Sequence, residues 1–413
     1  MLQITRLRCR RGGLLELRAH LDTTTGPRAV LGSQQPSERL DAQSDSTLVP
    51  RSDALRAEDG SRSVLFGRLG DSRVVGRGQI ANLRYGRLQI CATDEGCCVS
   101  QTGAILERAM SSEPEAMDQL AGRLGAGAVV RRDEPLAKRT TLRVGGSADI
   151  YVEPAGEEDL AAVIRFCGER ELPWFVLGRG SNLLVKDGGY RGVVISLAQP
   201  YFSRIEIDSP RLRCGAGAKL KAVAVEAKRN GLAGLEFLEG IPGSVGGGLR
   251  MNAGAMGGAM FEVVESVRVM DSGGNIHDRE ARELSVAYRG CGTLKTHAAL
   301  SAVLRGRPDS SEEIARRMNE YSRKRWQSQP AAPSAGCMFK NPAPIPAGKL
   351  IEELGLKGRQ VGGASISLEH GNFIVTDGKA TARDVLELIE IIRDRARAER
   401  GIELETEVQI IGE

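Results

Sequence analysis

The amino-acid sequence predicts an α+β protein of several domains. Three observations carry this. Helical and strand signals are interleaved along residues 118–413 without a strict strand–helix–strand repeat. Glycine turns bound most of the short apolar runs. The 413 residues give room for two to four domains at roughly 100–200 residues each.

Residues 1–110 read differently from the rest. They hold 16 arginines, no lysine, 12 acidic residues and two aromatics, Phe66 and Tyr85. Clusters of Gly, Ser, Asp and Arg interrupt nearly every apolar run, and no helical period or strand alternation is sustained. Three readings stay open: a disordered tail, a basic arm for nucleic acid or membrane, and a mis-assigned start. A net +4 over this length is weak support for the basic arm. Arginine without lysine suits translation of a GC-rich upstream region, with Met110 or Met117 as the start.

The elements of the body follow in order. LAGRLGAG reads as a short helix and a loop. TTLRVGGSADIYVEP alternates around a glycine turn, as a strand pair does. Leu160, Val163, Ile164 and Cys167 are spaced i, i+3, i+4, i+7, one face of a helix. PWFVLG is a strand, and LLVKDGGYRGVVI two strands around a turn. RLRCGAGAKLKAVAVEAKRNG runs from strand to helix, and GIELETEVQIIGE closes the chain as a strand.

Composition excludes several functions. Apolar residues make up 41% and charged residues 27%, ordinary globular usage. No apolar run approaches the roughly 20 residues of a membrane span. The first residues lack the apolar stretch of a secretory signal, so a cytoplasmic protein is expected. Beyond residue 110 acidic and basic residues balance, which argues against a nucleic-acid partner. The eight cysteines form no CxxC pair, and the four histidines are widely spaced. Free thiols and no metal site are expected.

Glycine motifs carry the functional signal. VLGRGSN places Gly178, Gly180, Ser181 and Asn182 between two strand signals. Glycines let backbone N–H groups approach a phosphate closely. The strand that follows, in place of a helix, disfavours a dinucleotide fingerprint of the GxGxxG kind, and a plain turn stays open. Residues 236–258 contain eight glycines. There Gly240, Ile241, Pro242, Gly243, Ser244, Gly246 and Gly247, with Asn252 of MNAG, suggest a loop built for a ligand at close range, with Ser244 and Asn252 as polar contacts. A flexible low-complexity loop fits less well, because ordered apolar residues are inserted throughout. AYRG sets Tyr288 beside Arg289, and SAGCMFKNP holds Cys337, Lys340 and Asn341.

Six motifs occur in one order: TTLRVGG, LGRGSNLLVKDGGYRG, GIPGSVGG with MNAG, AYRG, SAGCMFKNP and LETEV. On these, residues 118–413 resemble the UDP-N-acetylenolpyruvoylglucosamine reductase family, flavoenzymes of peptidoglycan precursor synthesis. The resemblance does not reach residues 1–110. It implies an FAD-binding fold of the vanillyl-alcohol-oxidase type with a C-terminal substrate domain. The implied domains are residues 118–200 with 403–413, residues 201–312, and residues 313–402. It also implies NADPH as hydride donor and UDP-N-acetylglucosamine enolpyruvate as substrate, in a monomer that needs neither nucleic acid nor membrane insertion. The two glycine loops would cradle the FAD pyrophosphate.

The same resemblance assigns roles. Arg289 and Glu407 match the family's arginine and glutamate, where a fixed cation stabilises charge developing on the substrate carboxylate. Read alone, the pair would be a surface ion pair and an exposed strand residue. Cys337 stands where many members have serine, and a thiol that is mainly protonated at neutral pH can donate a proton to C2. A small core thiol is the bland reading. Tyr288, Arg325, Lys340 and Asn341 would contact the sugar nucleotide. Gln409 stands where many members have arginine. The spacing after MNAG suggests the subgroup without an extra tyrosine-bearing loop. Two other function classes stay open: another flavoprotein of the same fold, and a non-catalytic binding module.

Overall fold

The structure is a computed structural model. It describes residues 2–10, 14–21 and 113–413 except Pro344. The chain divides into two compact units, Met1–Ala92 and Thr93–Glu413. In the first unit, β1 (Leu2–Arg10) pairs antiparallel with β2 (Leu14–Leu21), from Leu2 opposite Leu21 to Arg10 opposite Leu14. The sequence reading expected no strand alternation there. The remaining calls on residues 22–110 lie outside the described residues.

The second unit opens with α1 (Glu113–Ala121) and β3 (Val129–Pro135). β3 pairs antiparallel with β4 (Ser147–Glu153), and β4 pairs in parallel with β7 (Tyr190–Ser196). β5 (Trp174–Leu177) joins the other edge of β7, also in parallel. The crossover from β4 to β5 is α2 (Glu157–Glu169), which buries Leu160, Val163, Ile164 and Cys167 as its spacing predicts. Fully burying each such aliphatic side chain is worth about 1.5–3 kcal/mol.

One expectation here needs correction. TTLRVGG is not the first strand of a pair, because β4 takes β3 as its antiparallel partner. The glycines explain why: Gly145 has φ +107°, and a Cβ there would lie 2.4 Å from the Val185 carbonyl oxygen. The segment is therefore a close-packed crossing rather than an extended strand. LLVKDGGYRGVVI does form two strands, β6 (Leu183–Val185) and β7, but they do not pair with each other. β6 pairs in parallel with β17 (Gln409–Ile411), so the closing strand lies beside a strand of the first domain.

The next domain is a five-stranded antiparallel sheet. β10 (Val264–Met270) lies between β11 (Ile276–Glu280) and β12 (Ala298–Arg305), and β12 pairs onward with β9 (Arg211–Gly215) and β8 (Ile205–Asp208). Between β9 and β10 run α3 (Leu220–Arg229) and the short α4 (Val245–Arg250). One continuous core unites α2, α3 and this sheet. It includes Ile314 and Met318 of α5 (Ser311–Ser328). The boundary expected at residue 313 therefore falls inside a helix whose apolar face belongs to the preceding domain.

The last domain is built on a second core, from Ala335 to Val408, into which Leu142, Val144 and Leu184 of the first domain also pack. Its sheet runs β13 (Ser334–Cys337), β16 (Phe373–Thr376), β15 (Ala364–Ile366) and β14 (Gln360–Val361). The helices α6 (Ala347–Glu353) and α7 (Ala382–Arg400) complete it. In α7 the Thr381 hydroxyl accepts from the Asp384 amide at 3.2 Å, and Asp384 accepts from the Thr381 amide at 2.9 Å. This reciprocal capping fixes the helix start. Gly401, at φ +64°, ends it in the left-handed conformation.

Candidate active site

Two adjoining cavities of about 590 and 560 Å³ run between the domains of the second unit. Both are walled by Gly178, Ser244, Gly247 and Arg250. The motifs that supply them are far apart in sequence, and the fold brings them together through β5, β6 and α4.

The first cavity is strongly basic. Lys138, Arg139, Arg179, Lys219, Arg250 and Lys295 line it, and no carboxylate does. The Thr140 hydroxyl faces the same space, is buried, and has no hydrogen-bond partner. An orphaned buried hydroxyl costs about 1–3 kcal/mol unless a ligand meets it. A basic cavity with an unmet polar atom fits a dinucleotide diphosphate, and FAD has that chemistry. The glycine at position 180 is required by packing within the chain. A Cβ on Gly180, which sits at φ +61°, would lie 2.5 Å from the Arg139 carbonyl oxygen.

The expectation that GIPGSVGG offers a row of open N–H groups is not met. The Val245 and Gly246 amides donate to Ala218 and Ala216 at 2.9 and 2.8 Å. Gly248 donates to the Ser244 carbonyl at 2.8 Å, and Gly247 to the Ser244 hydroxyl at 3.4 Å. Ile241 and Gly243 are also engaged, with Leu238 and Ile241 carbonyls. The loop is thus a rigid wall, and its glycines serve close approach rather than donation.

The second cavity gathers the three candidate catalytic residues. Arg289, Cys337 and Glu407 line it together, with Gly180, Ser181, Asn182 and Arg325. Arg289 lies in the turn of the Val286–Ala287 and Gly290–Cys291 hairpin at φ +56°. A non-glycine residue in that region costs roughly 1–2 kcal/mol. The turn aims its side chain at Glu407, with Nε 2.9 Å from Oε1. The Nε hydrogen is not directed at that oxygen, so the buried Nε has no hydrogen-bond acceptor. The pair is charge-matched while one donor remains to be met by a ligand. Burial raises the Glu407 pKa above the usual carboxylate range, and Arg289 pulls against that rise. Burial, with the Glu407 charge adding to it, pushes the Cys337 thiol up to about 12.

Other expected residues take different places. Asn182 lines the cavity, but its side-chain amide donates to the Glu407 carbonyl at 3.0 Å. Asn252, off both cavities, donates to the Ala287 carbonyl at 3.2 Å and accepts from the Phe261 amide at 3.2 Å, bracing the Arg289 hairpin. Tyr288 is 59% exposed, with the Arg289 guanidinium 5.1 Å from its ring centre. Lys340 pairs with Glu405, and the Asn341 side chain accepts from the Ala347 amide at 3.1 Å. Tyr288, Lys340 and Asn341 are on neither cavity wall, so sugar-nucleotide contact does not follow from their placement. Arg325 does reach the second cavity and hydrogen-bonds the Gly240 carbonyl. Sequence reasoning missed Thr140 and Arg250. The first lay in a motif read as a strand, and the second in a motif read for its glycines. Among the described residues no cluster of His, Cys, Asp and Glu suits a metal ion.

Comparisons with known proteins identify the family. A family model described as FAD binding domain matches residues 148–279. A second, UDP-N-acetylenolpyruvoylglucosamine reductase, C-terminal domain, matches residues 329–411. The UDP-N-acetylenolpyruvoylglucosamine reductase of Heliobacterium modesticaldum is 46% identical over 285 residues, covering 68% of this chain and 90% of that protein. That of Clostridioides difficile is 43% identical over 286 residues, covering 69% of this chain and 94% of that protein. The solved structure of the Thermus caldophilus reductase is 41% identical with a TM-score of 0.61, covering 69% of this chain and all of that one. With the expected α+β fold, the two domain matches and relatives aligned over nearly their whole length, this chain belongs to the UDP-N-acetylenolpyruvoylglucosamine reductase family.

Proposed function

We propose that this protein reduces the enolpyruvyl group of UDP-N-acetylglucosamine enolpyruvate to the lactyl ether of UDP-N-acetylmuramate, with NADPH as reductant. The observation that carries the reading is Arg289 and Glu407 as a 2.9 Å pair on one cavity wall with Cys337. FAD, when bound, supplies the hydride relay from NADPH to C3 of the substrate. Its diphosphate belongs with the basic first cavity, where Gly178, Gly247 and Thr140 shape the wall.

The residues of this chain do the rest. Hydride addition at C3 places negative charge on C2 and the adjoining carboxylate. Arg289 is the fixed cation for that charge, with its unmet Nε–H as donor. Glu407 holds the guanidinium in place. Cys337 donates the proton to C2, and its pKa near 12 keeps the thiol protonated at neutral pH. Arg325, half-buried on the substrate side, takes a phosphate of the sugar nucleotide. Soluble substrates, NADPH and a sugar nucleotide, support a cytoplasmic enzyme. Among the described residues no helix is long and apolar enough to cross a membrane.

The test is an anaerobic visible spectrum of the purified protein. A yellow protein bleached by NADPH and recoloured by the enolpyruvyl sugar nucleotide supports the reading. Bleaching without recovery on substrate points instead to another flavoprotein of this fold.

A further inference from the structure

Arg250 closes α4 at the wall shared by both cavities. It is half-buried, and among the described residues no carboxylate pairs with it. Its one hydrogen bond runs from Nη1 to the Leu294 carbonyl. Burial alone lowers its pKa, so the folded protein keeps this cation at a cost. A guanidinium has five N–H donors, and the tether to Leu294 leaves most of them for a ligand.

The other cations of the first cavity are placed differently. Lys138, Arg179, Lys219 and Lys295 are exposed. Arg139 is committed to Glu134 at 2.7 Å and Glu153 at 3.6 Å. The amides of residues 245–248, beside Arg250, are engaged inside the protein. A diphosphate against α4 therefore meets a glycine surface whose amides at residues 245–248 are already engaged, and one unspent, half-buried cation. The unpaired Thr140 hydroxyl on the same cavity adds a second donor.

We infer that Arg250 neutralises the FAD diphosphate at the junction of the two cavities and sets how tightly the cofactor is held. The inference rests on the FAD reading above. It assigns Arg250 to binding and leaves proton and hydride transfer to the residues of the second cavity.

The experiment measures FAD release and rebinding with the full-length protein, by the rise and quenching of flavin fluorescence. Arg250→Met is expected to raise the FAD dissociation constant about 10- to 100-fold, the scale of losing charge-assisted hydrogen bonds. Arg250→Lys is expected to recover part of that loss. Riboflavin, which carries no phosphate, should bind parent and Arg250→Met alike. Equal weakening of FAD and riboflavin overturns the inference, because Arg250 then supports the fold or the flavin ring. Unchanged FAD affinity in Arg250→Met overturns it as well. A parent protein that binds neither flavin sinks the FAD reading itself, which separates the two failures.

Discussion

The Asn182 side chain donates to the Glu407 carbonyl at 3.0 Å, joining residues 225 apart in the chain. The Gln409 amide returns a hydrogen bond to the Asn182 carbonyl at 3.1 Å. Asn182 thereby holds the strand that presents Glu407 to Arg289. It is a positioning residue at the edge of the cofactor loop. Asn182→Ala should lower turnover about tenfold, on the order of one hydrogen bond worth about 1.4 kcal/mol. FAD content should stay close to the parent's. A variant purified without flavin but normal on reconstitution would return Asn182 to simple cofactor binding.

Glu407 gives the pH dependence. Its pKa is raised by burial, so the carboxylate forms at a higher pH than the ordinary value of about 4.3. Below its folded pKa Glu407 is neutral and no longer balances Arg289. Activity should therefore fall on the acid side through a titration above the usual glutamate range, and be full above it. Glu407→Gln keeps the shape and removes the titration. Its kcat should be low and flat across that acid limb. An acid limb that persists unchanged in Glu407→Gln assigns it to another group.

Cys337 can be separated from the hydride relay. Cys337→Ala should lower kcat for substrate reduction by about 10²–10⁴, the usual range for losing a general acid. Bleaching by NADPH should proceed at the parent rate, because no proton to C2 is needed for it. Cys337→Ser should keep part of the activity. With the thiol pKa at about 12, alkylation by iodoacetamide near neutral pH should be slow, since the thiolate is the nucleophile. Fast alkylation would show that the thiol ionises readily and does not stay a donor.

Much of the site was legible because its motifs are local. Gly178 to Asn182, Gly240 to Gly247, Arg289, Cys337 and Glu407 all come from short strings whose residue types have few other uses in that order. What was not legible depends on tertiary partners. A period-two pattern cannot tell whether a strand pairs with its neighbour in sequence, so TTLRVGGSADIYVEP reads as a strand pair that the fold does not form. Lys340 and Asn341 sit in a diagnostic motif, yet Glu405 and the start of α6 claim their side chains. Arg250 was hidden between glycines, and only burial without a carboxylate marks it out.

The VKDGG turn offers a test of how the domains hold together. Asp187 accepts the Ala382 amide at 2.8 Å and the Arg383 amide at 3.0 Å. These are two of the N-terminal amides of α7 that no helical carbonyl can reach. An FAD-domain turn thus caps the longest helix of the C-terminal domain, with its charge at the positive end of the helix dipole. Thr381 caps the same end through Asp384, so the helix start survives if Asp187 is lost. Asp187→Ala should cost about 1–2 kcal/mol, the scale of a lost N-cap. Asp187→Asn, which keeps one acceptor oxygen and loses the charge, should fall between the two. Urea denaturation of the FAD-loaded protein measures both. Because the lost contacts join two domains, the unfolding of the C-terminal domain should shift first, seen as earlier loss of α7 helicity. A single transition with an unchanged midpoint in Asp187→Ala would mean that Thr381 and Asp384 cap α7 unaided.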